Sequence, residues 1–348
     1  MTVSRVINTS GYVSAPTRQR VERAIVELGY VPNGLARQLR SKRTKMLALI
    51  VSDISNPFFT TIARGVEDVA APRGFSVVYC NTDESAAEEA RYIDILVGRQ
   101  VDGVLLVPAR GSGASFRTLR AHRMPVVVLD RRVADRHVAS VRCDSEAGAY
   151  ALTRHLIALG HRRIAVFTGR RTISTSVDRV AGCRRALKDS GLALDDDLLR
   201  FGGNNFGPLN QADGHQMARE ILASTGPRPT AIFAANNFIA FGVIRALREA
   251  GLRVPDDMSV VAFDDLPPEW VMDPFLTVAA QPAYEIGRRA AELLLDRIDG
   301  RTGGASGSGD VVQSVVLPFE LIVRRSAVAP HDRELADAGS AGAATGAA

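Results

Sequence analysis

The run MLALIV at residues 46–51 is short, unbroken and apolar, and a helical pattern follows it at residues 60–72. A strand without polar alternation is typical of a parallel sheet whose two faces are covered by helices. An apolar run followed by a helical pattern recurs along the chain to about residue 325. The other runs are FSVVYC (75–80), VDGVLLV (101–107), PVVVL (125–129), RIAVF (163–167), TAIFAA (230–235) and SVVAF (259–263), and the other helical patterns are residues 85–99, 145–159, 178–190, 236–250 and 283–299. This alternation predicts an α/β fold with doubly wound parallel sheets and right-handed crossovers.

These apolar runs are too many for one small sheet, so the body is predicted to form two similar lobes. The rhythm is interrupted near Asp144, where the stretch SVRCD precedes a new helix. The first lobe is predicted to comprise residues 46–143 plus about 282–312, and the second residues 144–281 plus about 313–325. Ligands of open α/β sheets bind outside the carboxyl ends of the strands, so the loops after these runs are expected to face one shared cleft.

The composition is that of a soluble globular protein, with 46% hydrophobic and 23% charged residues. No apolar stretch approaches the roughly 20 residues of a membrane-spanning helix, and residues 1–11 lack the apolar core of a secretion signal. Cys80, Cys143 and Cys183 have no CxxC spacing, which predicts free thiols in a reducing compartment. We therefore predict a cytoplasmic protein without a membrane partner. Residues 326–348 show no periodicity and are predicted to be a disordered tail.

The net charge of +5 is unevenly distributed along the chain. Residues 1–45 carry nine basic and two acidic side chains, a net charge of +7, which leaves −2 for the remaining 303 residues. A basic segment on a near-neutral body indicates a module that binds a polyanion. A solvated terminus that adds solubility is the alternative interpretation.

Helical patterns fill this basic segment. TVSRVINTS (2–10) predicts a short amphipathic helix, and Ser14 is the expected N-cap of a second helix that Gly29 ends. The residues expected to face inward are Val3, Val6 and Ile7 in the first helix and Val21, Ala24, Ile25 and Leu28 in the second. GLARQLRS (34–41) predicts a third short helix after an extended link.

The segment TVSRVINTSGYVSAPTRQRVERAIVELGYVPNGLARQL (2–39) resembles the DNA-binding headpiece and hinge of the LacI/GalR family of bacterial repressors, nearly residue for residue. The resemblance implies that residues 1–32 are a small α-helical headpiece with a partial helix-turn-helix. Residues 33–45 would then be the hinge helix and linker. The implied partner is double-stranded operator DNA, bound by two copies of the headpiece in a homodimer.

The same resemblance implies the DNA-binding residues. Ser4 and Arg5 would lie on the DNA-facing side of the recognition helix, where an arginine fork can pair with O6 and N7 of guanine. The residues that match phosphate-contacting positions are Asn8, Ser14, Thr17, Tyr30 and Asn33. Leu39, with Ala36 beside it, matches the hinge leucine that wedges between base pairs in the minor groove. Taken alone, Leu39 is an ordinary apolar residue of a short helix and Arg5 a solvated surface arginine.

One part of the family pattern is missing from the sequence. The family places about twenty residues ahead of the TVSRV motif, as a first helix that braces the second against the DNA backbone. Here Met1 alone precedes the motif. Either the natural start codon lies upstream, or the protein has lost half of its helix-turn-helix. In the second case we expect a sensor without competent DNA binding.

The resemblance continues over the body of the chain and implies a two-lobed core with the periplasmic-binding-protein type I fold. Its landmarks are LIVSDISNPFF (49–59), DGVLLVP (102–108), PVVVLDR (125–131), HLIALGHRRIAVFTG (155–169), DRVAGCRRAL (178–187), AIFAANNFIAFGVIRAL (231–247), SVVAFDDL (259–266) and LPFELIVRRS (317–326). The implied effector-contact residues are Asp53, Phe58, Phe59, Arg131, Thr175, Arg179, Phe206, Asn236 and Asp264. Such charged and amide side chains beside aromatic rings suit a polar, ring-shaped effector such as a sugar.

Some of these positions leave alternatives open. Arg179 and Asp264 either bind paired hydroxyl groups or form a salt bridge across the cleft when no ligand is bound. One of Phe58 and Phe59 is expected to belong to the core. Asn237 stands where the family has an aspartate, which removes one charge from the cleft.

No HExxH, P-loop or GxSxG motif occurs in the sequence, so no enzyme activity and no cofactor are predicted. His161 lies between a helix and a strand, where a turn-stabilising histidine is expected rather than a general base. The predicted function is that of a transcriptional repressor whose DNA affinity is set by an effector that closes the cleft. The alternative is a solute-binding or sensor protein with the same core fold.

Overall fold

The structure is a computed structural model that describes residues 2–7, 11–30, 43–133, 135, 137–202, 210–266, 273–300 and 313–330. The chain divides into two compact units, residues 1–45 and residues 46–348. Within the described ranges, no helix is both long and apolar enough to cross a membrane.

The described helices of the first unit are α1 (Thr2–Ile7) and α2 (Ala15–Glu27). The N-cap of α2 is Ser14, as predicted, but its hydroxyl lies 2.9 Å from the hydroxyl of Thr17 and caps no backbone amide. Pro16 stands in the first turn, where its missing N–H leaves no helical hydrogen bond unmade. Past the end of α2, Gly29 has a φ of +57°, a left-handed conformation that glycine adopts without strain.

The predicted apolar stripe of this unit is largely open to solvent. Val6 is buried, but Val3 is 52% exposed and Leu28 is 80% exposed. In α2, Val21 and Ile25 are partly buried and Ala24 is exposed. Two short helices bury little apolar area, so α1 and α2 do not by themselves close a core.

The body consists of alternating strands and helices. Its strands are β1 (Met46–Val51), β2 (Ser76–Asn81), β3 (Gly103–Leu106), β4 (Val126–Leu129), β5 (Ala139–Cys143), β6 (Ile164–Thr168), β7 (Leu199–Phe201), β8 (Ala231–Ala234), β9 (Ser259–Phe263), β10 (Thr277–Ala280), β11 (Ser314–Leu317) and β12 (Glu320–Ile322). Its helices are α3 (Pro57–Ala70), α4 (Ala86–Gly98), α5 (Gly113–Ala121), α6 (Ser145–Ala158), α7 (Ser174–Asp189), α8 (Asn210–Ala223), α9 (Asn237–Glu249) and α10 (Ala283–Ile298), with short 3-10 turns at Ala71–Arg73 and Asp196–Leu198.

In the described part of the body the strands form two six-stranded sheets, in the orders β2-β1-β3-β4-β5-β11 and β7-β6-β8-β9-β10-β12. The strand pairs are parallel apart from β10 with β12; in the first sheet Leu49 of β1 lies opposite Leu105 of β3. β3, β6, β8 and β9 are buried along their whole length, because helices cover both faces of each sheet. In each lobe the strand order reverses beside the first strand, which is where doubly wound sheets form their binding crevice.

The body's first lobe contains β1–β5 and β11 with helices α3, α4, α5 and α10. α3 and α10 pack closely, since an added Cβ at Gly287 would lie 2.1 Å from the carbonyl oxygen of Ile62. A Cβ at Gly65 would likewise lie 2.2 Å from the carbonyl oxygen of Tyr284. Glycine is therefore required at this helix crossing. The second lobe contains β6–β10 and β12 with α6–α9.

The structure differs from the predicted organisation at the lobe boundaries. The stretch SVRCD, expected to interrupt the rhythm, belongs to β5 of the first sheet up to Cys143. SVVLPFELIV, expected in the second lobe, is divided, because β11 pairs with β5 and β12 with β10. Pro318 lies between the two strands, and a proline cannot donate a ladder hydrogen bond, so the chain changes sheets there.

The predicted tail also begins later than expected. Ser326 is fully buried; its hydroxyl donates to the carbonyl of Val260 at 2.6 Å and accepts the amide of Thr277 at 2.7 Å. The carbonyl of Val328 lies 2.9 Å from Nε2 of the buried His161, so this histidine secures the end of the described chain. Residues 326–330 are therefore part of the second lobe, and residues 331–348 lie outside the described ranges.

Candidate ligand-binding cleft

Loops at the carboxyl ends of strands from both lobes enclose a cavity of about 120 Å³, which we call the central cavity. It is lined by eight of the nine residues that the sequence singles out: Asp53, Phe58, Phe59, Arg131, Thr175, Arg179, Asn236 and Asp264. The ninth, Phe206, lies outside the described residues.

The loop after β1 contributes the carboxylate of Asp53, one of whose oxygens accepts no hydrogen bond. Oδ1 of Asp53 accepts the backbone amide of Ser55 at 2.9 Å, while Oδ2 is buried without a hydrogen-bond partner. Burial raises the pKa of Asp53. The side chain of Asn56 accepts the amide of Phe58 at 3.0 Å and so starts α3 at the cavity wall.

Phe58 and Phe59, in the first turn of α3, are 7% and 6% exposed. Their ring centroids are 5.1 Å apart in an edge-to-face arrangement. Both rings belong to the core of the first lobe and both line the central cavity. The sequence predicted a place in the core for one of the two rings; the structure gives it to both, and both also line the cavity.

Arg131, after β4, is held by a buried ion pair with Glu84, which follows β2. Its Nη1 donates to Oε2 of Glu84 at 2.8 Å and to the carbonyl of Pro108 at 2.7 Å, while Nε has no hydrogen-bond partner. Burial alone raises the pKa of Glu84, but the charge of Arg131 outweighs it and the pKa is lowered. The pair fixes a guanidinium edge at the wall of the cavity.

The wall formed by the second lobe contains Arg179 of α7. Its guanidinium carbon lies 4.0 Å from the ring centroid of Phe263, its Nη1 donates to the carbonyl of Ala235, and its Nε has no partner. Asn236 accepts the amide of Ile239 at 2.8 Å and starts α9. Thr175 reaches the same wall from the first turn of α7.

Asp130 and Asp264 hold corresponding places in the two lobes, directly after β4 and β9. Both are buried, and both have a left-handed backbone, with φ of 64° and 67°. Burial raises the pKa of each carboxyl group, and the nearby charge of Arg179 lowers each by less. The charge of Asp264 raises the pKa of Asp130 further, since the two carboxyl groups face the same cavity.

The predicted alternative of a salt bridge between Arg179 and Asp264 across the cleft does not fit the structure. Both residues belong to the second lobe, and no ion pair joins these two described side chains. Asp264 instead accepts Nε2 of Gln281 at 2.6 Å. Asn237 is 1% exposed, accepts the amide of Phe238 and does not line the central cavity, so the family's missing charge is not on the cavity surface.

Outside the cavity, Arg132 makes polar contacts between the lobes. The amide of Arg132 donates to the hydroxyl of Ser174 at 3.0 Å, and its guanidinium forms an ion pair with Asp178 of α7. Arg132 follows β4 in the first lobe, so we call these contacts the interlobe clasp. It closes one side of the cleft.

Of the residues predicted to bind DNA, the structure describes the side chains of four. Arg5 and Tyr30 are exposed, and Ser14 and Thr17 are partly buried and in contact with each other. The side chain of Ser4 is not described, and the remaining positions lie outside the described residues: Asn8, Asn33, Ala36 and Leu39.

Sequence reasoning did not single out Glu84, Arg170 and Gln281, which also line the cavity. Each follows a strand of the two sheets, so the strand-end rule gives the signal for all three. Gln281 was missed because β10, with the sequence TVAA, was not recognised as a strand.

A basic unit of short helices followed by two doubly wound lobes around a polar cavity defines a class, that of ligand-controlled regulators with a DNA-binding headpiece. Comparisons agree with this class. The family model of periplasmic binding proteins and the sugar-binding domain of the LacI family matches residues 44–322, and that of bacterial regulatory proteins of the LacI family matches residues 1–33.

Individual proteins are similar over most of the chain. The ribose operon repressor of Halalkalibacterium halodurans is 36% identical over 298 residues, 86% of each protein. The complex of the regulator CelR with cellobiose is 35% identical with a TM-score of 0.72, over 93% of this chain and 94% of that one. The lac repressor dimer bound to operator and the anti-inducer ONPF is 27% identical with a TM-score of 0.77, over 94% and 95%.

The chain belongs to the LacI family of bacterial regulatory proteins. It is a DNA-binding transcriptional regulator with an effector-binding body, and the predicted periplasmic-binding-protein type I fold is confirmed.

Proposed function

We propose that the central cavity binds a small neutral polyol of the sugar type, and that this binding sets the affinity of the headpiece for operator DNA. Four buried cavity atoms without a hydrogen-bond partner carry the proposal: Oδ2 of Asp53, Nε of Arg131, Nε of Arg179 and Oε1 of Gln281. Two of them accept and two donate, and a hydroxyl group does both. Buried polar atoms are nearly always paired, so this set is typical of a site that a ligand completes.

The charge of the cavity favours a neutral ligand over an anion. Carboxyl groups outnumber guanidinium groups in its lining, with Asp53, Glu84, Asp130 and Asp264 against Arg131, Arg170 and Arg179. Carboxylates accept hydroxyl hydrogens in short, charge-assisted hydrogen bonds, whereas they repel phosphate and carboxylate ligands. Phe58 and Phe59 supply apolar surface for the C–H face of a sugar ring.

Similar proteins support this ligand class, because one is named a ribose operon repressor and another has been solved with cellobiose. The lac repressor dimer on its operator supports a homodimer that binds two half-sites. For the headpiece we propose DNA contacts by Ser4, Arg5, Asn8, Ser14, Thr17, Tyr30 and Asn33, with Ala36 and Leu39 in the minor groove.

We also propose that the protein acts in the cytoplasm, as a binding protein without catalytic activity. The named relatives are regulators. Cys80, Cys143 and Cys183 are free and buried, and burial raises the pKa of the last two thiols to about 12, which makes them poor nucleophiles.

The test of the ligand is calorimetric titration of ribose, glucose and cellobiose into the full chain, into Arg179→Gln and into the exposed control Arg184→Gln. We expect one neutral sugar to bind the wild type and the control alike, and Arg179→Gln at least tenfold more weakly, because a buried charged donor is lost. Binding of sugars with equal affinity to all three proteins would place the ligand elsewhere.

The test of DNA binding uses a palindromic operator selected from a random DNA pool, titrated over a range of salt. The chain is titrated with and without the sugar. We expect the sugar to change its affinity for the operator. Only weak, salt-labile binding in both titrations would favour the sensor instead of the repressor.

A further inference from the structure

A second cavity of about 400 Å³ lies beside the central cavity, between the loops after β3, β4 and β6 and the start of α5. We call it the arginine pocket, because its lining includes Arg110, Arg117, Arg120, Arg131 and Arg132. Among the described lining residues, Asp135 supplies a carboxylate. Its charge is therefore opposite in sign to that of the central cavity.

Two of these arginines are not neutralised by described residues. Arg120 pairs with Asp135, Arg131 with Glu84 and Arg132 with Asp178. Arg110 and Arg117 form no hydrogen bond or ion pair with the described part of the chain. Clustered guanidinium groups repel one another, so an arrangement of this kind is stabilised by a bound anion.

The start of α5 adds backbone donors to the same place. The N-cap hydroxyl of Ser112 is 3.0 Å from the carboxylate of Glu89 and also bonds the carbonyl of Ala109, so no side chain caps the helix. Nη1 of Arg117 lies 3.7 Å from the place that a Cβ of Gly113 would take, so its guanidinium folds back over the first helical residue. A helix start is electropositive, and the carboxylate of Glu89 supplies one negative charge beside it. Two further cations, Arg110 and Arg117, favour a bound anion in addition.

The side chains of Arg110, Arg117 and Arg120 are exposed, but the loop that leads into α5 is fixed by a buried carboxylate. Glu89 is fully buried and accepts the amide of Ala109 at 2.6 Å, which fixes the loop ahead of α5. Arg131, 7% exposed, forms part of the wall between the two cavities, and its Nε lies 3.7 Å from Oδ2 of Asp130. Ser174 contributes from the second lobe, so the pocket spans both lobes.

We propose that the arginine pocket binds the phosphate group of a small phosphomonoester, at a site separate from the sugar site. A phosphate dianion matches two unpaired guanidinium groups and uncapped helix amides. The pocket is larger than a phosphate ion needs, and Phe116, Val133 and Ile173 supply apolar surface for an organic substituent. A ligand held there by both lobes stabilises the closed cleft. The phosphate site does not depend on which sugar, if any, fills the central cavity.

The test titrates inorganic phosphate and phenyl phosphate into the full chain at constant ionic strength, with chloride as the balancing anion. The variants are Arg117→Gln, Arg110→Gln and the control Arg248→Gln, which removes an equal charge from the exposed face of α9. We expect saturable binding to the wild type, with phenyl phosphate at least fivefold tighter than inorganic phosphate. Arg117→Gln and Arg110→Gln should each weaken it at least tenfold, and the control should not change it.

The proposed phosphate site is contradicted if the control loses as much affinity as the two pocket variants. It is also contradicted if phosphate binds no more strongly than chloride. If inorganic phosphate binds as tightly as phenyl phosphate, the proposal that the ligand is an organic phosphate ester is contradicted. Sugar titration of Arg117→Gln separates this proposal from the previous one, because we expect its sugar affinity to equal that of the wild type. Competition between sugar and phenyl phosphate would show one shared site and contradict the proposal.

Discussion

At the residue scale, the central cavity is built from carboxyl groups whose burial is unfavourable to folding. Asp130 and Asp264 are each buried at a left-handed backbone position, which aspartate and asparagine tolerate better than most residues. Burial raises the pKa of both, so each carries a desolvation cost when ionised. A binding site that keeps such groups exchanges stability for ligand affinity.

Replacing Asp264 by asparagine separates these two effects. Asp264→Asn keeps the left-handed backbone and an oxygen that accepts from Gln281, but removes the buried charge. We expect the free energy of unfolding at pH 7 to rise by about 1 kcal/mol, while sugar affinity falls at least tenfold with the loss of a charge-assisted acceptor. Denaturant titration and calorimetry measure the two quantities. Asp94→Asn, at an exposed position of α4, is the control and should change neither.

The pH dependence of this variant has a definite sign. A raised pKa in the folded state means that Asp264 destabilises the fold above that pKa, and that this cost disappears as the pH falls toward the ordinary value of about 3.9. The stability gained by Asp264→Asn should therefore be largest at neutral pH and shrink on acidification. A gain that is independent of pH would mean that the charge of Asp264 is not its cause.

Glu84 is expected to behave in the opposite way. Its pKa is lowered despite burial because of Arg131, so it stabilises the fold above about pH 4.3, and this contribution is lost as the pH falls through the lowered pKa. Glu84→Gln removes the main partner charge of the buried Arg131 and leaves only the more distant Asp130, 3.7 Å from Nε, so it should destabilise the protein by roughly 3 kcal/mol at pH 7, measured by denaturant unfolding. The comparison is Glu88→Gln, which breaks an exposed pair with Arg91 and should have little effect.

At the scale of elements, the close crossing of α3 and α10 holds the first lobe together. Gly287→Ala would place a methyl group 2.1 Å from the carbonyl oxygen of Ile62, which neither helix can avoid without moving. We expect a loss of at least about 2 kcal/mol in the free energy of unfolding. Gly98→Ala, at the end of α4 with no atom within 4 Å of the new methyl, should be neutral or slightly stabilising. Equal stability of both variants would show that the crossing relaxes freely.

Strands covered on both faces could be predicted because they need apolar residues throughout. β1, β3, β4, β8 and β9 lie within predicted apolar runs, and β6 extends one residue past its run, to Thr168. β2 was also predicted, although most of its residues are only partly buried. β7 has three residues and β5 includes an arginine, so neither forms such a run. α5 and α8 were not among the predicted helices: α5, GASFRTLRA, has only nine residues, and the first half of α8, NQADGHQMAREILA, is polar.

The cavity could be predicted to a similar extent. Strand-end loops and family resemblance named residues that the fold does bring together, such as Asp53 and Arg179. The partner of Arg131 could not be predicted, because Glu84 is 47 residues away in sequence and meets it only when β2 and β4 share a sheet. The arginine pocket depends in the same way on tertiary packing, since its arginines come from separate loops and a helix.

At the scale of the whole molecule, regulation requires that the two lobes adopt more than one arrangement. A ligand shifts such an equilibrium only by its difference in affinity for the two states. The interlobe clasp of Arg132 with Ser174 and Asp178 favours the arrangement seen here without lining the central cavity. Changes in the clasp should therefore act on sugar affinity through the lobe equilibrium alone.

Asp178→Asn tests this coupling, because it removes the charge of the clasp and leaves every wall of the central cavity intact. Arg132 is about half exposed, so the ion pair contributes no more than about 1 kcal/mol. A shift of that size in the lobe equilibrium lowers the apparent sugar affinity by up to about fivefold, since only the closed fraction binds tightly. The control is Glu146→Gln, which breaks a more exposed ion pair with Arg185 inside the second lobe. Calorimetry should show weaker sugar binding for Asp178→Asn alone, and small-angle scattering of the free protein should show a more open body. Equal sugar affinities for the two variants would mean that the clasp does not influence the equilibrium between the lobe arrangements.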